Sequence, residues 1–121
     1  MSVIVQITKN FKNTAKPLLK KYPSLQKDLL RLEAELINNP TLGTSLGHNA
    51  YKIRLKISSK GKGKSGGARV ISLVQTILIN KITTIEDQVT VSLITIYDKA
   101  DTATISDKEL REMIKSFHKD Q

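Results

Sequence analysis

Lys52, Arg54 and Lys56 occupy alternate positions of the stretch "YKIRLKIS" at residues 51–58. A strand sets alternate residues on one face about 6.5–7 Å apart, so the three cations form a row, with Tyr51, Ile53, Leu55 and Ile57 directed toward the core on the other face. The spacing is close to that of phosphates along one nucleic-acid strand. Cations so placed grip a phosphodiester and stabilise the charge that develops on it during cleavage. Arg69, at the start of the next predicted strand, joins the row if the two strands pair across the loop between them. That loop, "SKGKGKSGG", holds four glycines and three more lysines, Lys60, Lys62 and Lys64. His48 lies just ahead of the row in a glycine-flanked loop, in reach of a bound substrate.

The row belongs to a wider asymmetry. The 121-residue chain has a net charge of +9. Residues 1–35 carry seven bases and three acids, residues 36–85 eight bases and no acid, and residues 86–121 five bases and eight acids. A face that is charged only for solubility normally mixes signs. A long block without Asp or Glu instead sets up a positive field that attracts phosphate backbones or an acidic protein partner.

Other chemistries are poorly supplied. There is no cysteine, which removes disulfides, thiolate metal sites and cysteine nucleophiles together. His48 and His118 are far apart, with no clustered carboxylates beside them, so no metal is expected. A phosphate-binding loop ending at Gly63-Lys64-Ser65 needs glycine at position 58, which is Ser58, and the segment leads into a strand rather than a helix. No G-x-S-x-G occurs. With two Phe, three Tyr and no Trp, the chain lacks the aromatic platform on which single-stranded bases stack. Tyr97, at the end of the last strand, is the aromatic residue placed to stack. No signal peptide and no apolar run of membrane-spanning length are visible, and the expected location is the cytoplasm.

The elements that must position these residues are legible from periodicity. "SVIVQIT" reads as a strand. "NFKNTAKPLLKKYP" follows at helical spacing, and Pro17 leaves two options, a start near Asn13 or a kink. "PSLQKDLLRLEAELINNP" is the clearest helix, with Ser24 as N-cap and Leu25, Leu29, Leu32 and Leu36 on one face. "TLGTSLGHNA" reads as a loop. "ARVISLVQTILIN" and "QVTVSLITIYDK" are apolar on both faces, as in central strands covered on both sides. "ISDKELREMIKSFHKDQ" closes the chain as a helix with Ser106 and Glu109 in capping-box spacing. The order β-α-α-β-β-β-α predicts one α+β domain over residues 1–121: a mostly antiparallel sheet of about four strands, an N-terminal helical hairpin and a short C-terminal helix.

That order, with "KKYPSLQKDLLRL", "YKIRLKIS", "GGARVISLV" and "LITIYDKAD", resembles the RelE/ParE family of bacterial toxins over nearly the whole chain. In that family RelE-like members cut messenger RNA in the ribosomal decoding site, and ParE-like members block DNA gyrase. Both are silenced by a co-expressed antitoxin that wraps the toxin. The resemblance implies a metal-independent endoribonuclease with Lys52, Arg54 and Arg69 in its basic cluster and a further cation near Lys99; the charge row itself adds Lys56 as an RNA-binding residue. It departs from the pattern at one point. Where RelE enzymes carry a tyrosine early in the last helical region, this chain has Ile105, leaving Tyr97, His48 or His118 to transfer the proton. The lysine-bearing loop then reads either as a mobile arm on ribosomal RNA or as a long turn. Three functions follow: an mRNA-cleaving toxin that acts on the ribosome, a gyrase poison without chemistry of its own, or a non-toxic basic RNA-binding protein.

Overall fold

A computed structural model describes residues 2–60, 66–80, 82, 85–101 and 105–119. Strand β1 (Ser2–Ile7) leads into helices α1 (Lys9–Lys21) and α2 (Leu25–Asn38). Strands β2 (Thr44–Gly47), β3 (Ala50–Leu55), β4 (Ala68–Asn80) and β5 (Ile85–Asp98) follow, and helix α3 (Asp107–Lys119) ends the fold. The sheet order is β1-β5-β4-β3-β2, with β1 parallel to β5 and the other pairs antiparallel. The fold is a mixed α+β one, in the predicted order with one strand added.

The additional strand is β2, inside the stretch read as a loop. It is four residues long and contains one large apolar side chain, Leu46, so periodicity had nothing to register. Pairing makes it a strand: Thr44 lies opposite Lys52 and Ser45 opposite Tyr51. Gly43 permits this approach. Its φ is +105°, and a Cβ there would stand 2.5 Å from the Lys52 carbonyl oxygen, a conformation and a contact that glycine alone tolerates.

The start near Asn13 is not the real one. The helix begins four residues before Asn13 because Thr8 caps it, accepting from Phe11 N–H at 3.1 Å. Thr8 is itself fixed to β5, its hydroxyl donating to the Leu93 and Ile94 carbonyls. Pro17 therefore sits inside α1. It removes the N–H that the Asn13 carbonyl would accept, and both residues are exposed, so that carbonyl faces solvent rather than the core. Ser24, in turn, is not a side-chain cap for α2: its backbone is already helical and its hydroxyl donates to Asp28 at 2.8 Å.

Two apolar layers hold the sheet. On one face α1 and α2 bury Phe11, Leu18, Leu25, Leu32 and Leu36 against Ile53, Leu55, Ile57, Val70, Val91 and Ile96. On the other, α3 packs Leu110, with Met113, Ile114 and Phe117 half-buried beside it, against Ala50, Ile71, Leu73 and Ile94. A register shift at Ile71/Ser72 pairs Ile71 with Thr95 and Ser72 with Leu93, leaving Ile94 as the extra residue of a bulge. Tyr51, expected in the core, is only half-buried and belongs to neither layer. The expectation that β4 and β5 are covered throughout holds for their inner halves only. Ile77, Leu78 and Ile85 in the outer halves are 51%, 69% and 70% exposed, because the helices end before the strands do.

Candidate nucleic-acid interface

The alternation of β3 is realised where it matters. Ile53, Leu55 and Ile57 are buried in the hairpin layer, which turns Lys52 and Arg54 to the α3 side of the sheet. Register then aligns residues distant in sequence. Arg54 lies directly opposite Arg69, and Arg69 opposite Tyr97. Gly67, one step before β4, allows the close approach at this end, since a Cβ on it would meet the Leu55 carbonyl oxygen at 2.1 Å. Three neighbouring strands thus contribute Arg54, Arg69 and Tyr97 to one row, with Lys52 one row further along.

The environments within the row differ sharply. Arg54 is exposed and Lys52 half-buried. Arg69, expected as an open cation, is 3% exposed and its Nη1 donates to the Ala68 carbonyl at 3.1 Å. It lies on the face that α3 covers, and its charge acts from beneath the row. Tyr97 is half-buried, and its hydroxyl has no hydrogen-bond partner among the described residues. Burial pushes the Tyr97 phenol pKa above its ordinary value, with the Arg69 charge opposing. Its proton is therefore retained at neutral pH. Lys52 and Tyr97 open onto a shared cleft of about 180 Å³, walled by Leu46, Ile71, Ile105 and Leu110 and edged by Asp107. Ile105, at the position where the resemblance leads one to expect a tyrosine, thus lines the same cleft as Tyr97. Asp107 was not anticipated as part of this surface; it pairs with Arg111 one helical turn on.

Lys60, predicted to contact RNA, is placed in an ion pair within the fold. Its ammonium is 2.7 Å from Asp98 Oδ1, with side-chain exposures of 13% and 0%, and it stacks over the Tyr22 ring at 5.4 Å. The Tyr22 hydroxyl donates to Asp98 Oδ2 at 2.5 Å and the Ala100 N–H to Oδ1 at 3.0 Å. Burial alone would raise the Asp98 pKa; the Lys60, Tyr22 and Ala100 donors outweigh it and hold the value at about 2. The same short turn, Ser58–Lys60, is fastened at its other end by Asp28, which accepts from Ser58 N–H at 3.0 Å and from its hydroxyl at 2.7 Å. Burial again works against the Asp28 charge, and the Ser58 and Ser24 bonds prevail, lowering its pKa. Two buried carboxylates therefore anchor the start of the glycine-rich connection.

The remaining candidates scatter. Lys56 is exposed immediately after β3 and Lys99 immediately after β5, where Lys99 N–H donates to the Gly67 carbonyl at 3.2 Å; both flank the row. Lys62 and Lys64 lie outside the described residues. His48 occupies the β2–β3 turn with φ +55°, at the other end of β3 from Arg54 and about 15–20 Å away along the strand. His118 is exposed in the last turn of α3, edge-on to Phe117. The histidines are therefore not brought to the row. A larger cleft of about 630 Å³ lies between the start of α1 and α3 and contains none of these cations; Glu109, Glu112 and the single base Lys9 line it, a lining in which acids outnumber bases. Among the described residues no group of three or more His, Asp or Glu is placed to hold a metal ion, and no helix is long and apolar enough to cross a membrane.

The chain matches no protein-family model, no curated protein and no solved structure.

Proposed function

We propose that the chain is a toxin of the RelE/ParE type, an endoribonuclease that cleaves messenger RNA on the ribosome and is silenced by a cognate antitoxin. The observation that carries this reading is the register of Arg54 opposite Arg69. Like charges directly across an antiparallel pair repel, and with Lys52 and Lys56 beside them they concentrate positive charge at one place on the sheet. Such a concentration of cations attracts a phosphodiester backbone.

The chemistry follows from the side chains present. Lys52 and Arg54 hold the scissile phosphate, and Arg69 adds positive potential from beneath as negative charge builds up on the phosphoryl oxygens. The ribose 2′-hydroxyl gives its proton to solvent water and attacks the adjacent phosphorus, and the 5′-oxygen leaves, giving a 2′,3′-cyclic phosphate and a 5′-hydroxyl end. Tyr97, kept protonated by its burial, gives its proton to that leaving oxygen once bound RNA uncovers its hydroxyl, which is buried in the free chain, and regains one from solvent. Lys56 and Lys99 extend the positive surface along the RNA backbone. An antitoxin segment rich in Asp and Glu has the complementary charge for the same surface.

One observation favours the second reading, a gyrase poison of the ParE type. Ile105, apolar where the resembling enzymes have a tyrosine, lines the cleft and cannot transfer a proton. Brief expression in a bacterial host, with RNA 5′ ends mapped across transcripts, separates the two. New 5′-hydroxyl ends confined to translated frames, and absent for Arg54→Ala, support cleavage. Growth arrest with intact transcripts and broken DNA moves the function to gyrase. Harmless expression leaves a basic RNA-binding protein.

A further inference from the structure

Beyond Val74 the sheet loses β3: it continues as β1-β5-β4 to Ile77 and as an arm of β4 and β5 from Leu78 on. β3 pairs with β4 over Ala68–Leu73 only, and the last contact between them is Val74 N–H donating to the Asn49 carbonyl at 2.9 Å. From Gln75 to Asn80, β4 pairs with β5 on one side, and none of the described strands lies along its other side. Because Val74 directs its N–H toward the β3 edge, strand alternation directs the N–H and C=O groups of Thr76, Leu78 and Asn80 out of that same edge. These groups form an open ladder one strand long.

The arm lacks the usual protection of such an edge. Exposed strands are normally guarded by a charge, a proline, a bulge or a covering element. Gln75–Asn80 reads QTILIN, with no charge and no proline, and the β4–β5 register shift falls back at Ile71/Ser72. Ile77 and Leu78 point to opposite faces and are 51% and 69% exposed, so around these two residues neither face is covered by the described residues.

We propose that this edge is the interface with a second copy of the chain. Two β4 arms pair antiparallel about a two-fold axis at Ile77, so that Thr76 of one copy lies opposite Leu78 of the other and the two sheets become continuous. Two features select a second copy as occupant. The first is self-complementarity: under the two-fold, the outward N–H and C=O of Thr76 meet those of Leu78 twice, and Ile77 meets Ile77, as an isologous contact requires. The second is charge. A chain of net charge +9 repels its own copy across the β3 surface, whereas the outer half of β4 is uncharged and the β5 residue opposite Leu78 is the exposed acid Asp87. The arm is where this basic chain can approach itself.

Sedimentation equilibrium of the full chain over a concentration series tests the interface. Thr76→Pro removes only an outward N–H and keeps the ladder to β5, a substitution that edge strands accommodate; Leu78→Lys places a charge at the contact without touching the backbone. The expected result is a concentration-dependent dimer for the wild type, and a monomer for both variants with unchanged far-UV circular dichroism. A wild type that stays monomeric at its highest soluble concentration overturns the proposal, and so does a dimer that survives both substitutions. Should Thr76→Pro misfold, Leu78→Lys decides alone: a persistent dimer refutes the interface and a monomer supports it.

Discussion

Replacing Asp98 with asparagine removes the charge that fastens the start of the glycine-rich connection to the end of β5, next to Tyr97. The wild-type carboxyl titrates at about 2 instead of the ordinary 3.8, and its side chain is fully buried. Each pKa unit corresponds to about 1.4 kcal/mol of preferential interaction with the charged form, so the group contributes on the order of 2 kcal/mol at neutral pH. A depressed pKa fixes the sign. The contribution is present above the unfolded value near 4 and is lost as pH falls toward 2, where the folded carboxyl gains its proton. Asparagine has no proton to gain. Urea unfolding followed by circular dichroism between pH 7 and pH 2 should therefore show the wild type losing about 2 kcal/mol more than Asp98→Asn, chiefly between pH 4 and pH 2. The lowered pKa of Asp28 contributes to both proteins and cancels. At neutral pH the variant should be the less stable, because Lys60 is left buried without its counter-charge; adding Lys60→Met should recover part of that loss. Equal pH slopes for wild type and Asp98→Asn would refute the account of this ion pair.

Tyr97→Phe deletes a hydroxyl with no partner among the described residues, so the melting temperature should hold while cleavage in a ribosome-programmed assay falls by about 10²–10⁴-fold, as loss of a general acid entails; unchanged cleavage would remove Tyr97 from the chemistry. Lys56→Ala should weaken binding to single-stranded RNA of any sequence and reduce the slope of log K against log salt by about 0.7, the value for one phosphate contact. A slope equal to that of wild type would mean that Lys56 touches no phosphate.

Different features of this molecule became legible at different ranges. The inward set Ile53, Leu55 and Ile57 and the helical set Leu25, Leu32 and Leu36 followed from periodicity, because a strand and a helix each repeat over a few residues. The cap of α3 was equally local: Ser106 accepts from Glu109 N–H at 3.1 Å and donates to its carboxylate. The acid-free block needed only counting. These local rules missed Thr8 as the start of α1, since its anchors, Leu93 and Ile94, come from the far end of the chain. They missed β2 for a related reason, since four residues become a strand only when β3 lies alongside.

The candidate site divides along the same line. Sequence alone determined that Lys52, Arg54 and Lys56 share a face and that the middle of the chain is strongly basic. Only the tertiary structure decided what each cation does there. Register between β3, β4 and β5 set Arg54, Arg69 and Tyr97 in one row, and α3 covered Arg69. Lys60 went to Asp98, which lies 38 positions along the chain, and the histidines were left elsewhere. The physical reason is that facing and capping depend on neighbours a few residues away, whereas burial, ion pairing and strand register depend on groups that only the folded chain brings together.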